Sequence, residues 1–585
     1  MAEKIKKKLP WFLILVLIVF TVAVGFNFER STTKADSLGT SVSVGNQAPA
    51  FTVVPADSSD GTTPTNVGAN TTFTATATDA NSEQYYLAIC KENSITPATD
   101  GAPTCGGTGS WCVSIATNSA SPANCTRTAL VGDAESNIWY GFVCDKHAGE
   151  AGLCSSNSSA ASPFKVNHRP GFTVFSDNSP VNPAATVTWT TTASDTDTDT
   201  ANDTVSLYVC KADDFTGTAC GGGGTWCSVT GQASNPTCNV AAPLPDGNYS
   251  AYGFVIDSHS FAASPQGGDS TLAVNNMSPS ITNTTILLQD TDAAGDLTLT
   301  VAQGETTDFL VKFVITDANS CVNISSGNEI ASALIHARMS ELAQSACDGN
   351  DSNNNNNCYQ AAQSGTGGQC VQDVSINACS GNTDTDVGWR CEFPLQYHAD
   401  PTTGTPTPTK DAYTWTVAVQ ATDDDSATTG LVDDNDGNEL GLFMAYSFTE
   451  GSIAYGGPLA PEAESADKTL TVSATGNVGL DEEVSGAANM CTDYPTCVGS
   501  TISVVQQKYD LDSGIAWASM NGDGDDGTLS ATAHEVETNC LKTTTTGSPA
   551  TKILYWKIKI PAAQASGSYT GADTLAGVTG EAAGW

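Results

Sequence analysis

The chain has 585 residues, a formal net charge of −41 and only 15% charged residues, against about 25% in ordinary soluble proteins. So acidic a chain repels phosphate backbones, which argues against a nucleic-acid partner. The length predicts roughly three to five domains.

The N-terminus carries an export sequence. Lysines precede an apolar run of 16 residues from Trp11 to Phe26, and this positive flank predicts a cytoplasmic N-terminus with the remainder outside. The run is long for the core of a signal peptide and short for a spanning helix. Residues 1–35 are therefore predicted to be either a signal peptide cleaved after Ala35 or an uncleaved membrane anchor.

The next segments repeat one another. Leu87–Lys91 (LAICK) matches Leu207–Lys211 (LYVCK), and Tyr140–Asp145 (YGFVCD) matches Tyr252–Asp257 (YGFVID). Phe309–Asn319 begins a more divergent third copy. The spacing of about 115 residues is that of one β-sandwich domain. The predicted domains are 36–167, 168–275, 276–474 with an insertion over about 320–410, and a C-terminal sandwich over 475–585.

These copies alternate polar and apolar residues with a period of two, between turns rich in Gly, Pro, Asn and Asp. That pattern predicts an all-β chain of tandem antiparallel sandwiches. The one helix-like segment is 328–347, where Ile330, Leu334 and Ala337 share a helical face.

One strand carries a family resemblance. Asp246–Tyr252 (DGNYSAY) resembles the D-x-G-x-Y strand of immunoglobulin-like and fibronectin-like domains. The chain thus resembles tandem sandwich proteins of prokaryotic cell surfaces, of the surface-layer or adhesin type. The resemblance implies that Tyr249 forms the tyrosine corner that closes a Greek key.

The 19 cysteines include no C-x-x-C pair, which is typical of an oxidising compartment. The second copy lacks the equivalents of both Cys144 and Cys154, and this joint absence predicts that the two are bonded. Four cysteines are shared by the copies and allow three connectivities, of which pairing between neighbours is favoured. They are Cys90, Cys105, Cys112 and Cys125 in copy one and Cys210, Cys220, Cys227 and Cys238 in copy two. One cysteine of the last unit is left over, either as a buried thiol or for an intermolecular disulfide.

Acidic loops recur at one end of each copy. In an immunoglobulin-like sandwich the loops after the second and sixth strands lie at the same end, and their oxygens suit Ca²⁺. The candidate ligands are Asp79, Asn81 and Asp145 in copy one, Asp195, Asp197 and Asp257 in copy two, and Asp317, Asn319, Asp423 and Asp425 in copy three. A structural calcium ion is predicted, although the same residue types also form turns. His147 and His259 follow Asp145 and Asp257 at matching positions, as shared ligands or as retained loop residues.

No H-E-x-x-H, G-x-S-x-G, Walker or dinucleotide-binding motif occurs. The sequence predicts a non-enzymatic, exported structural or adhesive protein of the cell surface, possessing no required cofactor and contacting itself or surface glycans. The alternative is a secreted carbohydrate-binding protein or carbohydrate-active enzyme. Its site would lie in the third-copy insertion, where Trp389, Phe393 and Tyr397 alternate.

Overall fold

A computed structural model describes residues 41–159, 161–197, 203–290, 296–322, 329–347, 356–362 and 370–581. The predicted anchor, residues 1–35, lies outside these ranges. Among the described residues, no helix is long and apolar enough to cross a membrane. The described elements are β-strands and four short 3₁₀ helices, Asn283–Thr285, Gln344–Ala346, Val504–Gln506 and Trp517–Ser519.

The chain forms two compact units, the first comprising the described residues up to Ser58, with Asn70–Thr128 and Asn137–Phe164. The strands of residues 50–167 are β1 (Ala50–Asp57), β2 (Thr65–Asn66), β3 (Asn70–Thr78), β4 (Tyr85–Cys90), β5 (Ile95–Thr96), β6 (Thr104–Cys105), β7 (Ser110–Val113), β8 (Pro122–Thr128), β9 (Ser136–Asn137), β10 (Tyr140–Asp145) and β11 (Phe164–Asn167). The first unit holds the sheets β1-β3-β8 and β10-β4-β7. Every second residue of β3 is buried, and Phe73 lies edge-on to Trp139 at 5.4 Å. The period-two pattern therefore marks the face that lines this core.

The second sandwich belongs to the second compact unit. Its strands are β12 (Gly171–Ser176), β13 (Thr186–Ser194), β14 (Val205–Cys210), β15 (Thr225–Gln232), β16 (Thr237–Ala241), β17 (Gly247–Asp257) and β18 (Gly268–Val274). They form the sheets β12-β13-β16 and β15-β14-β17-β18, an immunoglobulin-like order. Tyr249 Oη donates to the carbonyl oxygen of Pro245 at 2.6 Å, which is the tyrosine corner that the resemblance implies.

The third sandwich follows in the same unit. Its strands are β19 (Ser280–Ile281), β20 (Leu287–Asp290), β21 (Glu305–Thr316), β22 (Ile330–Met339), β23 (Cys358–Ala362), β24 (Cys370–Gln372), β25 (Asp386–Gln396), β26 (Trp415–Asp423) and β27 (Val432–Asp433). One sheet is β19-β21-β25-β24, with β20 also paired to β21, and the other is β23-β22-β26-β27.

Two predictions for this region need correction. The segment 328–347, predicted as helical, contains the strand β22, followed by the 3₁₀ turn Gln344–Ala346. Strand β22 pairs with β23 and β26 and buries residues on both faces, so its sequence lacks the alternation of a half-exposed strand. The supposed insertion over 320–410 contains β22 and β25, which are central strands of the two sheets.

The fourth sandwich begins earlier than predicted. Its strands are β28 (Tyr446–Phe448), β29 (Lys468–Ala474), β30 (Leu480–Gly486), β31 (Met490–Cys491), β32 (Thr501–Ile502), β33 (Gln507–Asp510), β34 (His534–Cys540), β35 (Thr551–Ile558) and β36 (Asp573–Thr579). The sheets are β28-β29-β35-β33 and β34-β30-β36, beside the ribbon β31-β32. Because β29 pairs with β35 from Lys468 to Ser473, a boundary at 474 would divide one sheet.

The described residues contain nine disulfides. They are Cys90–Cys105, Cys112–Cys125, Cys144–Cys154, Cys210–Cys220, Cys227–Cys238, Cys321–Cys379, Cys347–Cys358, Cys370–Cys391 and Cys491–Cys497. Cys144–Cys154 is the pair predicted from its joint absence in the second copy, and the shared cysteines pair with their neighbours as favoured. Cys540 is free and buried, and burial raises the pKa of its thiol to about 11. This burial argues against the intermolecular disulfide.

One carboxyl group lies in the core of the fourth sandwich and makes its stability depend on pH. Glu482 is fully buried, and neither carboxyl oxygen has a hydrogen-bond partner. Burial, then Asp481 and Glu450, raise its pKa from 4.5 to about 8. Since the folded pKa exceeds the unfolded one, stability is greatest below pH 4.5 and falls as the pH rises towards 8.

We therefore expect Glu482→Gln to stabilise the fourth sandwich by about 3 kcal/mol at pH 7 and to have little effect near pH 4.5. Thermal unfolding of both proteins across this pH range measures the difference. The neighbouring Glu483→Gln, at a half-buried position, serves as control. A constant difference between Glu482→Gln and the wild type at all pH values would contradict the assignment.

Candidate functional site

A short linker enters each sandwich beside the loop that follows β3, β13, β21 or β29. Each of these is the second strand of its sandwich in the immunoglobulin order. In the third sandwich, the backbone N–H of Met277 donates to Asn319 Oδ1 (2.6 Å), and Asn319 Nδ2 donates to the carbonyl oxygen of Asn275 (2.8 Å). One side chain thus holds the linker on both sides of residue 276. The same two bonds recur as Gln47 to Asn81 (2.9 Å) and Asn81 to Gly45 (3.4 Å), and as Phe443 to Asn477 (2.6 Å) and Asn477 to Gly441 (3.0 Å).

The second sandwich uses an aspartate for this linker clamp. Asp197 Oδ2 accepts the backbone N–H of His168 (2.6 Å), and Asp197 Oδ1 lies 2.9 Å from His168 Nδ1. Three residues predicted as calcium ligands, Asn81, Asp197 and Asn319, therefore bind the linker. Their position after the second strand explains this role, because that loop is where the linker arrives.

Each of the first three linkers also supplies an asparagine to the sandwich end. The Nδ2 groups of Asn46, Asn167 and Asn276 donate to Oδ2 of the strand-end aspartates Asp145 (2.9 Å), Asp257 (2.9 Å) and Asp423 (3.0 Å), respectively. The other side-chain atom, Oδ1, is buried in all three asparagines and has no hydrogen-bond partner. The remaining oxygen of each strand-end aspartate accepts backbone N–H groups of its own loop.

In the first aspartate of each loop, likewise, one side-chain oxygen is hydrogen-bonded and the other is not. In Asp79, Asp195 and Asp317, Oδ1 accepts the backbone N–H of the residue two positions later, at 2.7, 2.9 and 2.8 Å. Their Oδ2 atoms are buried and lack a hydrogen-bond partner. These three predicted ligands thus each retain one unpaired oxygen at the linker end.

A further acid completes each group. This acid lies one or two residues before β4, β14 or β22, which is the third strand of its sandwich in the immunoglobulin order. The three residues are Glu83, Asp203 and Glu329. Glu83 Oε2 and both carboxyl oxygens of Glu329 are buried without a hydrogen-bond partner. The matching histidines lie against this acid, His147 Nδ1 at 2.8 Å from Glu83 and His259 Nδ1 at 3.1 Å from Asp203.

The acids of the first two ends are close together. One oxygen from each of Asp79, Glu83 and Asp145 lies within 4.8 Å of the others, and Asp195, Asp197 and Asp203 satisfy the same limit. Burial, then Asp197, raise the pKa of Asp195 to about 6. Burial and the neighbouring negative charges thus oppose ionisation of Asp195.

Among the acids of the three ends, Glu329 at the third end has the most strongly raised pKa. Glu329 is fully buried, and burial followed by Asp424, Asp246, Asp317 and Asp423 raises its pKa to about 9. Burial, opposed by the Asn319 backbone hydrogen bond, raises the pKa of Asp317 to about 6, with Asp423, Asp246 and Asp424 adding to the shift.

One of these acids comes from the preceding sandwich. Asp246 follows Pro245, the residue that the tyrosine corner of the second sandwich holds. Its pKa is raised by burial and then by the negative charges of Asp425 and Asp424 of the third sandwich. The acidic group at the third end therefore spans two sandwiches.

The fourth sandwich keeps the clamp without the acids. Its linker has a leucine before Phe443 where the other three have asparagine, and the residue two before Asn477 is a threonine. A valine lies two residues before β30, at the position of the acid before the third strand. A threonine pairs with the first residue of β30, at the position of the strand-end aspartate. The four residues are Leu442, Thr475, Val478 and Thr579. Leu442 and Val478 pack against one apolar cluster that contains Leu480.

Sequence reasoning identified the loop acids of the first two copies and missed the linker asparagines, Glu329 and Asp246. A usable indication was present in the sequence, since N-x-x-P recurs at the start of the first three copies. These segments are Asn46–Pro49, Asn167–Pro170 and Asn276–Pro279.

Structure comparison returned domains of the same sandwich class. The FN1-FN3 domains of chicken CNTN1 are 8% identical (TM-score 0.18), and the match covers 66% of this chain and 97% of that chain. The fibronectin(III)-like modules of Clostridium thermocellum CbhA are 14% identical (TM-score 0.19; 38% and 94%), and a marsupial T cell receptor is 9% identical (TM-score 0.23; 63% and 96%). No protein-family model and no curated protein sequence matches the chain. The fold assignment accordingly rests on the strand order of the sheets.

Proposed function

We propose that the chain is a non-enzymatic structural or adhesive protein, exported to the cell surface and held there or released according to the fate of residues 1–35. Its sandwiches make contact with other copies or with surface glycans. A surface-layer or adhesin role is the specific form that we favour.

The observation that carries this proposal is the distribution of the disulfides. Each of the four sandwiches contains at least one of them, and such usage is typical of extracellular proteins. Together with the repeated linker clamp, they give every domain its own covalent or hydrogen-bonded constraint. These features suit a protein that must keep its shape outside the cell.

The carbohydrate-directed alternative has lost its supporting observation. Trp389, Phe393 and Tyr397 are each at most 2% exposed, so they pack the core of the third sandwich and do not form a surface platform. A glycan array and a hydrolysis assay with the purified chain test this alternative. We expect no hydrolysis, and turnover of any polysaccharide would overturn the non-enzymatic assignment.

Labelling of intact cells tests the surface role. Antibodies to the fourth sandwich should label unpermeabilised cells, and peptide mapping without reduction should recover the nine disulfides. The same mass spectra give the mature N-terminus and so distinguish a cleaved signal from an anchor. Labelling only after permeabilisation, with reduced cysteines, would refute the proposal.

A further inference from the structure

Three sandwich ends hold buried oxygen atoms that have no hydrogen-bond partner among the described residues. Such atoms cost stability unless something satisfies them. At the first end Asp79 is 5% exposed, at the second Asn167 is 1% exposed, and at the third Asp317 and Glu329 are 0% exposed. Each of these side chains contributes at least one unpaired oxygen to the acidic group at its own end.

The fourth sandwich shows that the fold does not need these acids. Its clamp residue Asn477 makes the same two hydrogen bonds as Asn319, while apolar Leu442 and Val478 occupy positions that are polar at the other ends. Linker entry is therefore compatible with apolar residues or threonine at the four positions that are asparagine or acidic at the other ends. The acids at these positions in the first three sandwiches are therefore not required for linker entry.

We propose that the linker end of each of the first three sandwiches binds one Ca²⁺ ion. The ligands would be the linker asparagine Oδ1, the first loop aspartate Oδ2, the acid before the third strand and the strand-end aspartate. These sets are Asn46, Asp79, Glu83 and Asp145; Asn167, Asp195, Asp203 and Asp257; and Asn276, Asp317, Glu329 and Asp423. The proposal is independent of the surface role, because it depends only on the geometry of these ends.

The donor chemistry selects calcium. All four side chains of each set offer oxygen, which hard cations prefer, and no cysteine is among them. Calcium accepts six to eight oxygens in irregular geometry and completes its shell with water, whereas magnesium demands a near-ideal octahedron. The nearby histidines contact Glu83 and Asp203 through Nδ1, so they orient an acid and need not bind the ion.

The third site joins two sandwiches. Asp246 of the second sandwich lies near these acids of the third, and its negative charge helps to raise the pKa of Glu329 and Asp317. An ion among these acids would attract Asp246 instead of leaving it to repel its neighbours. Calcium at this site is therefore expected to fix the second and third sandwiches to each other.

Calcium titration of the full-length oxidised chain tests the proposal. After EDTA treatment, isothermal calorimetry with CaCl₂ should give three equivalents, and MgCl₂ should bind more weakly. The double variant Asp317→Asn/Glu329→Gln should give two. In EDTA this variant should melt above the wild type, because the repulsion is gone, and its melting temperature should respond less to calcium. The control Asp411→Asn/Asp436→Asn removes two exposed acids from the same sandwich and should keep three equivalents.

Asp246→Asn is the second, milder variant. It should weaken calcium binding at the third end only and leave binding at the other two ends unchanged. An unchanged calcium affinity at the third end would refute the shared site. The whole proposal would be overturned if the wild type bound no calcium. It would also be overturned if calcium raised the melting temperatures of the wild type and the double variant by the same amount. Either result would leave the labelling test of the surface role standing.

Discussion

Replacing both Cys321 and Cys379 with alanine is expected to destabilise the third sandwich by about 4 kcal/mol. This disulfide closes a loop of 58 residues, which gives it the largest chain-entropy effect among the nine. It also holds the segment that directly follows Asp317 and Asn319. Denaturant unfolding of the oxidised chain, followed by a probe in the third sandwich, measures the loss.

The matched control removes Cys347–Cys358, which lies in the same sandwich and closes a loop of only 11 residues. Its removal should cost less, about 3 kcal/mol. An equal or larger loss for the shorter loop would show that loop entropy does not govern these bridges. We also expect the longer-loop variant to bind calcium less well at the third end.

Replacing Lys542 with methionine is expected to cost about 3–5 kcal/mol, because it would leave a buried carboxylate without its partner. Lys542 of the fourth sandwich is almost fully buried, and its Nζ lies 2.7 Å from Asp400 Oδ1 of the third. The same Nζ donates to the carbonyl oxygen of His398 at 2.8 Å. Denaturant unfolding, with limited proteolysis between the third and fourth sandwiches, measures the effect.

A second substitution separates charge pairing from simple packing. Asp400→Asn combined with Lys542→Met removes both charges, so it should be less destabilising than Lys542→Met alone. Exposed Lys552→Met controls for loss of a lysine. Equal losses in the single and double variants would mean that the ion pair contributes no coupling energy.

The two junctions between sandwiches in the second unit thus differ in the charges that meet there. Lys542 brings a positive charge from within the chain to the junction of the third and fourth sandwiches. At the junction of the second and third, Asp246 lies near further carboxylates, and both carboxyl oxygens of Glu329 lack a hydrogen-bond partner among the described residues. Calcium removal should therefore loosen the earlier junction and spare the later one, which proteolysis with and without EDTA can compare.

Local patterns in the sequence determined the all-β class, the repeated domains and much of the disulfide pairing. Alternation with period two reports directly on a half-buried sheet face, as in β3, and joint loss of two cysteines reports on a bond between them. The acidic loops were also visible, because Asp79, Asp195 and Asp317 occur at the same point of each copy. These features depend on neighbouring residues or on comparison of copies.

Tertiary structure decided the rest, since it depends on partners far apart in the chain. Strand β22 reads as a helix because neighbours bury both of its faces, and β29 belongs with β35, which lies about 80 residues later. Glu329 joins the third acidic end through sheet pairing that brings Ile330 opposite Asp423, and the linker asparagines join through hydrogen bonds to the strand-end aspartates. Whether an oxygen is already hydrogen-bonded is likewise a property of the folded chain, and it separates Asn319, which binds the linker, from Asp317, which retains a free oxygen.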